Sequence, residues 1–308
     1  MRLDALARSL YAYEKVDVSN FQRRARVLQS IWREEQAYEP GERAGLPLGS
    51  LLQMPAAQEQ LLNFITPTVR DVVCFEVLGP AAKGKLYGKP RIFNNLLSSQ
   101  PLCFNLFGEL ARDLDLASAA IRRLTGGRFE RVTAIEFEVS SGRRDPRYLN
   151  DRSAFDVFVR CEDADLRPCF LGIEVKYHEN LLGRANTHNL RYDEVADAMG
   201  CFISDHSLLK RAPIQQIWRD HLLAGITRMQ DGYADGLFVI MYPAGNGHVS
   251  SALQEYRRHL LNEDSFNAWT LEQFVAALRQ QSNATWIDVF YDRYLAFDKV
   301  NRKLDAAD

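Results

Sequence analysis

Ser153–Glu179, SAFDVFVRCEDADLRPCFLGIEVKYHE, is the stretch whose reading decides the fold. Over residues 153–160, Phe155, Val157 and Val159 share one parity, and Asp156 falls on the other with Ala154 and Phe158. Over 169–177, Leu171, Ile173, Val175 and Tyr177 share one parity, and Glu174 and Lys176 fall on the other with Phe170 and Gly172. Side chains alternate faces along a strand, so each segment reads as a strand with one apolar side and one side that carries the charges. The short polar joint CEDADLRP makes the two an antiparallel hairpin.

A register that sets Asp156 opposite Glu174 pairs Arg160 with Phe170 and leaves 161–169 as the connection. The two carboxylates then stand with β-carbons roughly 5 Å apart, which is destabilising unless a cation lies between them. Mg²⁺ accepts one or two carboxylates, keeps several waters and takes phosphate oxygens. Lys176, on the same face, is placed to orient or deprotonate a water and to offset phosphate charge. A wet sheet face would explain the same three residues as solubilising charge. The second strand is otherwise nearly all apolar and helices follow it; a covered strand does not keep unpaired charges, which favours a functional site.

Asp156 followed by Glu174-Val175-Lys176 on the next strand resembles the core of the PD-(D/E)XK nuclease superfamily, the restriction-endonuclease-like fold. The segment Ser98–Gly108, SSQPLCFNLFG, is similar to a bacterial subgroup of uncharacterised nuclease-like proteins within it. The resemblance spans roughly residues 90 to 245, and it departs from the family at Phe155, where the family has proline. It implies an α/β fold with a central mixed sheet flanked by helices, and a Mg²⁺- or Mn²⁺-dependent endonuclease that hydrolyses DNA with a metal-activated water and leaves a 5′-phosphate. Asp156 and Glu174 take the positions of metal ligands, and Lys176 that of a water-orienting group or general base. The family often places a Gln on the following helix, here Gln216, and an additional acid on the preceding one, here Glu109. Many such enzymes are homodimers. The alternatives are a nuclease-fold protein that binds nucleic acid or a protein partner without cutting, and a hydrolase of small phosphoesters.

The remaining chain supplies the surroundings. At 308 residues with net charge −2, it is long enough for a substantial core and carries no global basic signal for nucleic acid, so a DNA surface has to be local. Candidate backbone contacts are Lys83 and Lys85 in the loop 79–91, Arg143, Arg144 and Arg152 in the loop 141–152, and Arg219 three residues after Gln216. The cluster Arg23, Arg24 and Arg26 reads as a solvated helix face or a phosphate-contacting arm. Glu136 or Glu138 on the strand 131–139 is a candidate third acid, unless that strand simply has one wet face.

The five cysteines lack CxxC spacing and fit a reducing compartment, and neither a signal peptide nor an apolar run of membrane-spanning length is visible, so a cytoplasmic location is expected. The pattern divides the chain into a helical extension 1–78, a core 79–245 and a C-terminal extension 246–308. It predicts a loop over 39–49, one helix over 98–124, a helix over 213–229 and a buried strand over 236–243. The closing run from 284 reads as a strand followed by a helix.

Overall fold

A computed structural model describes residues 2–183, 185 and 187–306. The chain opens with α1 (Arg2–Ser9) and α2 (Asn20–Glu35). Ser19 caps α2 through the amide of Gln22, whose side chain reaches back to the cap. Residues 39–49, expected as a loop, instead form a hairpin of β1 (Pro40–Arg43) and β2 (Leu46–Leu52). Its turn residues Ala44 and Gly45 both have positive φ, 53° and 76°, the conformation that tight two-residue hairpins require. Then come α3 (Ala56–Glu59), α4 (Pro67–Val73), α5 (Arg91–Asn94) and α6 (Ser99–Leu110).

The helix expected over 98–124 is two, because the chain turns before Asp113, whose carboxylate caps α7 (Leu114–Leu124) at the Leu116 amide. After α7 run β3 (Arg131–Val139), β4 (Phe155–Glu162), β5 (Pro168–Val175), α8 (Leu190–Met199), α9 (Gln215–Asp231), β6 (Asp235–Tyr242), α10 (Gly247–Arg257), β7 (Phe266–Thr270) and α11 (Leu271–Arg279). The closing run forms α12 (Thr285–Tyr294) and α13 (Asp298–Asp305) rather than a strand and a helix. Among the described residues no helix is long and apolar enough to cross a membrane.

By packing the chain forms two compact units, Met1–Glu109 with Asn283–Asp308, and Leu110–Ser282. The divisions expected at 78/79 and 245/246 fall elsewhere for a physical reason. Strand β7, beyond 245, joins the same five-stranded sheet as β3, β4, β5 and β6, and so belongs with them.

In the first unit the arginines of α2 are used internally. Arg26 makes a buried two-pronged pair with Asp17 at 2.5 and 2.8 Å, Arg23 bonds the Asp17 carbonyl, and Arg24 bonds Asn301. They are ties within the fold, not an arm held out for phosphate. Arg293 of α12, fully buried, donates to Gln29 and twice to Asn63 and lies 4.0 Å over the Trp32 ring, joining the end of the chain to its beginning.

In the second unit the sheet order is β3-β4-β5-β6-β7, with β3, β4 and β5 antiparallel in sequence and β6 and β7 parallel to β5. The observed β4–β5 register, Val157 with Ile173 and Arg160 with Phe170, is the one that sets Asp156 level with Glu174. The face that carries Phe158, Phe170, Phe238 and Ile240 is covered by apolar residues of α8, α9 and α10, among them Val195, Trp218, Leu222 and Leu253. Gly225 of α9 permits close packing: a β-carbon there would lie 2.2 Å from the Met199 sulfur of α8. Asp156 and Glu174 share the parity of that helix-covered face, at the carboxyl end of β5, where ligands bind in open α/β sheets.

Candidate active site

The β4–β5 ladder stops at Val157 and Ile173, one position short of Asp156 and Glu174. Asp156 fills the gap with its side chain: Oδ2 accepts the Val175 amide hydrogen at 2.9 Å. Beyond it β5 keeps to β6, with the Lys176 amide donating to the Met241 carbonyl at 2.8 Å. The strands therefore part at the two carboxylates. Glu174 and Lys176 are each 7% exposed. Glu174 Oε1 accepts from Lys176 Nζ at 2.6 Å and from Gln216 Nε2 at 3.0 Å, the latter reaching over from the first turn of α9. Asn246 fixes the chain as it leaves the site, its amide donating to the carbonyls of Tyr177 and Glu179 at 3.1 and 3.0 Å.

Charge is crowded here. Burial and the neighbouring Glu174 raise the Asp156 pKa well above the usual carboxylate range. Burial alone would lower Lys176, but Glu174, Glu179 and Asp156 outweigh it and hold the amine as an ammonium. Asp220 of α9, 2% exposed, is pushed up to about 7 by burial, with Glu174 and Asp151 adding to it against Arg219 and Lys176.

A family model of the PD-(D/E)XK nuclease superfamily matches residues 15–296. The chain belongs to that superfamily. No curated protein and no solved structure matches it. The PD-(D/E)XK match runs through residues of both compact units. PD-(D/E)XK proteins are generally nucleases and typically use divalent metals.

The donor set fits such an ion. Asp156 Oδ1 and Glu174 Oε2 accept no hydrogen bond from any described residue, so each carboxylate is steadied by one oxygen and keeps the other. Among the described residues no three His, Cys, Asp or Glu side chains are grouped as a metal-binding set. Two carboxylates with water in the other positions suit Mg²⁺ or Mn²⁺ and not a structural zinc.

The structure thus gathers Asp156, Glu174, Lys176 and Gln216. Arg219 is close by: with Gln215, Gln216, Ala212, Pro213, Leu181, Gly183 and Ala185 it lines a cavity of about 210 Å³. The other candidates are placed differently. Glu136 lies two positions along β3 from the level of Asp156 and is paired with Arg160 at 2.6 Å, so it is no third acid of the group. Glu138, at that level, bears on the charge of Asp156 and pairs with Arg143 at 3.3 Å. Arg144 and Arg152 are exposed. Glu109 belongs to the other unit, where it accepts the Thr66 hydroxyl at the start of α4; Lys85 there is paired with Glu76, and Lys83 is exposed. Sequence reading missed Asp220 and Asn246. Only the four-residue step from Gln216 to Asp220 on one helix face could have signalled the former.

Proposed function

We propose that the protein is an endonuclease that hydrolyses DNA phosphodiester bonds with a Mg²⁺ or Mn²⁺ ion held by Asp156 and Glu174. The reading rests on the parting of β4 and β5 at half-buried Asp156 and buried Glu174, each carboxylate keeping one unused oxygen beside the buried ammonium of Lys176. When bound, the ion supplies Lewis acidity toward a phosphate oxygen and toward the attacking water. The chain supplies the rest. Gln216 and Lys176 both hold Oε1 of Glu174 and so fix how that carboxylate presents Oε2. Lys176, held as an ammonium in the metal-free site by Glu174, Glu179 and Asp156 against the pull of burial, is a fixed cation placed to offset charge building on phosphate. Asp156 is anchored by a backbone amide, which keeps its position independent of any rotamer choice at Val175.

The test incubates purified protein with circular and linear DNA, with and without Mg²⁺ or Mn²⁺, beside Asp156→Ala and Lys176→Ala. Metal-dependent cutting by the wild type and its loss in both folded variants is expected. Binding without cutting under every condition would leave a nuclease-fold protein that holds nucleic acid or a partner.

A further inference from the structure

Asp220 lies one turn beyond Gln216 on α9, almost wholly buried. Its Oδ1 is 3.4 Å from both Nε and Nη2 of Arg219, while its Oδ2 is buried and accepts no hydrogen bond from any described residue. Consecutive residues on a helix point about 100° apart, so Arg219 meets Asp220 only by folding its guanidinium back over its neighbour. In that pose one edge of the fork faces Asp220, and Nη1 donates to no described residue. Asp151 and Glu174 bear on the same guanidinium, which lines the cavity next to Gln216.

A buried carboxylate with one oxygen unmatched is costly, and a neutral side chain would pack there more cheaply. The group it holds explains its presence. A guanidinium fork matches phosphate oxygens, and one held in place beforehand loses less side-chain freedom when it binds. We infer that Asp220 is a positioning residue, holding Arg219 beside Glu174 as a preset clamp for a phosphate of the bound strand without touching the strand itself. The inference rests on the nuclease reading of the same site.

The test is nucleic-acid affinity without cleavage. Fluorescence anisotropy with labelled single- and double-stranded oligonucleotides, Ca²⁺ replacing Mg²⁺, is run over a series of salt concentrations for wild type, Asp220→Asn, Arg219→Ala and the double variant, with melting temperature as the folding control. One lost phosphate contact lowers the slope of log affinity against log salt by about 0.7 for single strands or 0.9 for duplex. Asp220→Asn and Arg219→Ala are each expected to show that loss, and the double variant to bind no worse than Arg219→Ala alone. Arg219→Lys, which cannot be gripped through two nitrogens, is expected to lose most of the affinity that Arg219→Ala loses, and it leaves Asp220 untouched. Wild-type slope in Asp220→Asn, losses that add in the double variant, or full binding by Arg219→Lys would overturn the inference alone. A wild-type protein that binds neither oligonucleotide would overturn the nuclease reading and the inference with it.

Discussion

Replacing Asp220 by asparagine should stabilise the metal-free protein while weakening its hold on a nucleic acid. The carboxyl is pushed from 3.8 up to about 7, above all by burial, with Glu174 and Asp151 opposing Arg219 and Lys176. At about 1.4 kcal/mol per pH unit, that distance corresponds to roughly 4 kcal/mol as an upper figure. The folded value lies above the unfolded one, so the native protein keeps a proton that the unfolded chain has released. Its contribution is fully present below the unfolded pKa and is lost as pH rises through the folded one, between about pH 4 and 7. Asparagine has no proton to lose and escapes the penalty. In EDTA, wild type and Asp220→Asn should therefore differ by only about 1 kcal/mol near pH 4.5 and separate progressively, with the variant ahead by up to about 4 kcal/mol at pH 8. Urea unfolding followed by tryptophan fluorescence across that range measures the gap, with Trp218 reporting from the same helix. Parallel stability curves for the two proteins would refute the assignment of a buried, strained carboxylate at this position.

Other perturbations test separate features. Mg²⁺ or Mn²⁺ at a hundred times its dissociation constant should stabilise the wild type by about 2.7 kcal/mol, and EDTA should remove the effect; Asp156→Asn should show no such rise in a melting scan. Arg293→Ala strips three buried hydrogen bonds and the Trp32 ring contact from the first unit, and should cost roughly 4 kcal/mol in urea unfolding. Gly225→Ala makes the flexible Met199 side chain give way, and should raise the melting temperature more in a Met199→Ala background, where the obstructing sulfur is gone, than in the wild type. Glu109→Ala should destabilise by about 1 kcal/mol, since Glu109 accepts from the hydroxyl that caps α4, and should leave the metal-induced rise in melting temperature unchanged.

The sheet was legible where alternation was strict. The parities of 153–160 and 169–177 exclude a slip by one residue, which would turn Val157 and Ile173 to the wrong face, and setting Asp156 level with Glu174 picks one register among the rest. The apolar run of β6 and the three- and four-residue steps of α9 were equally plain, although Met229, which continues the stripe in sequence, is exposed. What escaped depended on contacts distant in sequence. The β1–β2 hairpin hides in a Pro- and Gly-rich stretch, and its turn asks an alanine to take positive φ. Strand β7 is only five residues long and is recruited by β6, with no alternation of its own to announce it. Within the site, Asp156, Glu174 and Lys176 could be read from a single hairpin. Asp220 could not, since an aspartate beside an apolar helix stripe looks the same in sequence whether it is solvated or sealed in. The arginines of α2 show the converse, a basic cluster whose charges are spent on Asp17, Asn301 and nearby carbonyls.

Because the first compact unit takes its residues from both ends of the chain, a ribosome begins that unit first and completes it last. At 5–20 residues per second, the intervening segment Leu110–Ser282 takes on the order of 9–35 s to emerge, long enough for the sheet and its acidic cleft to fold. During that interval Trp32, Gln29 and Asn63 wait for the one arginine that joins them. The carboxylate pair of β4 and β5 would thus be in place before the first unit is finished, and α12 closes that unit only afterwards.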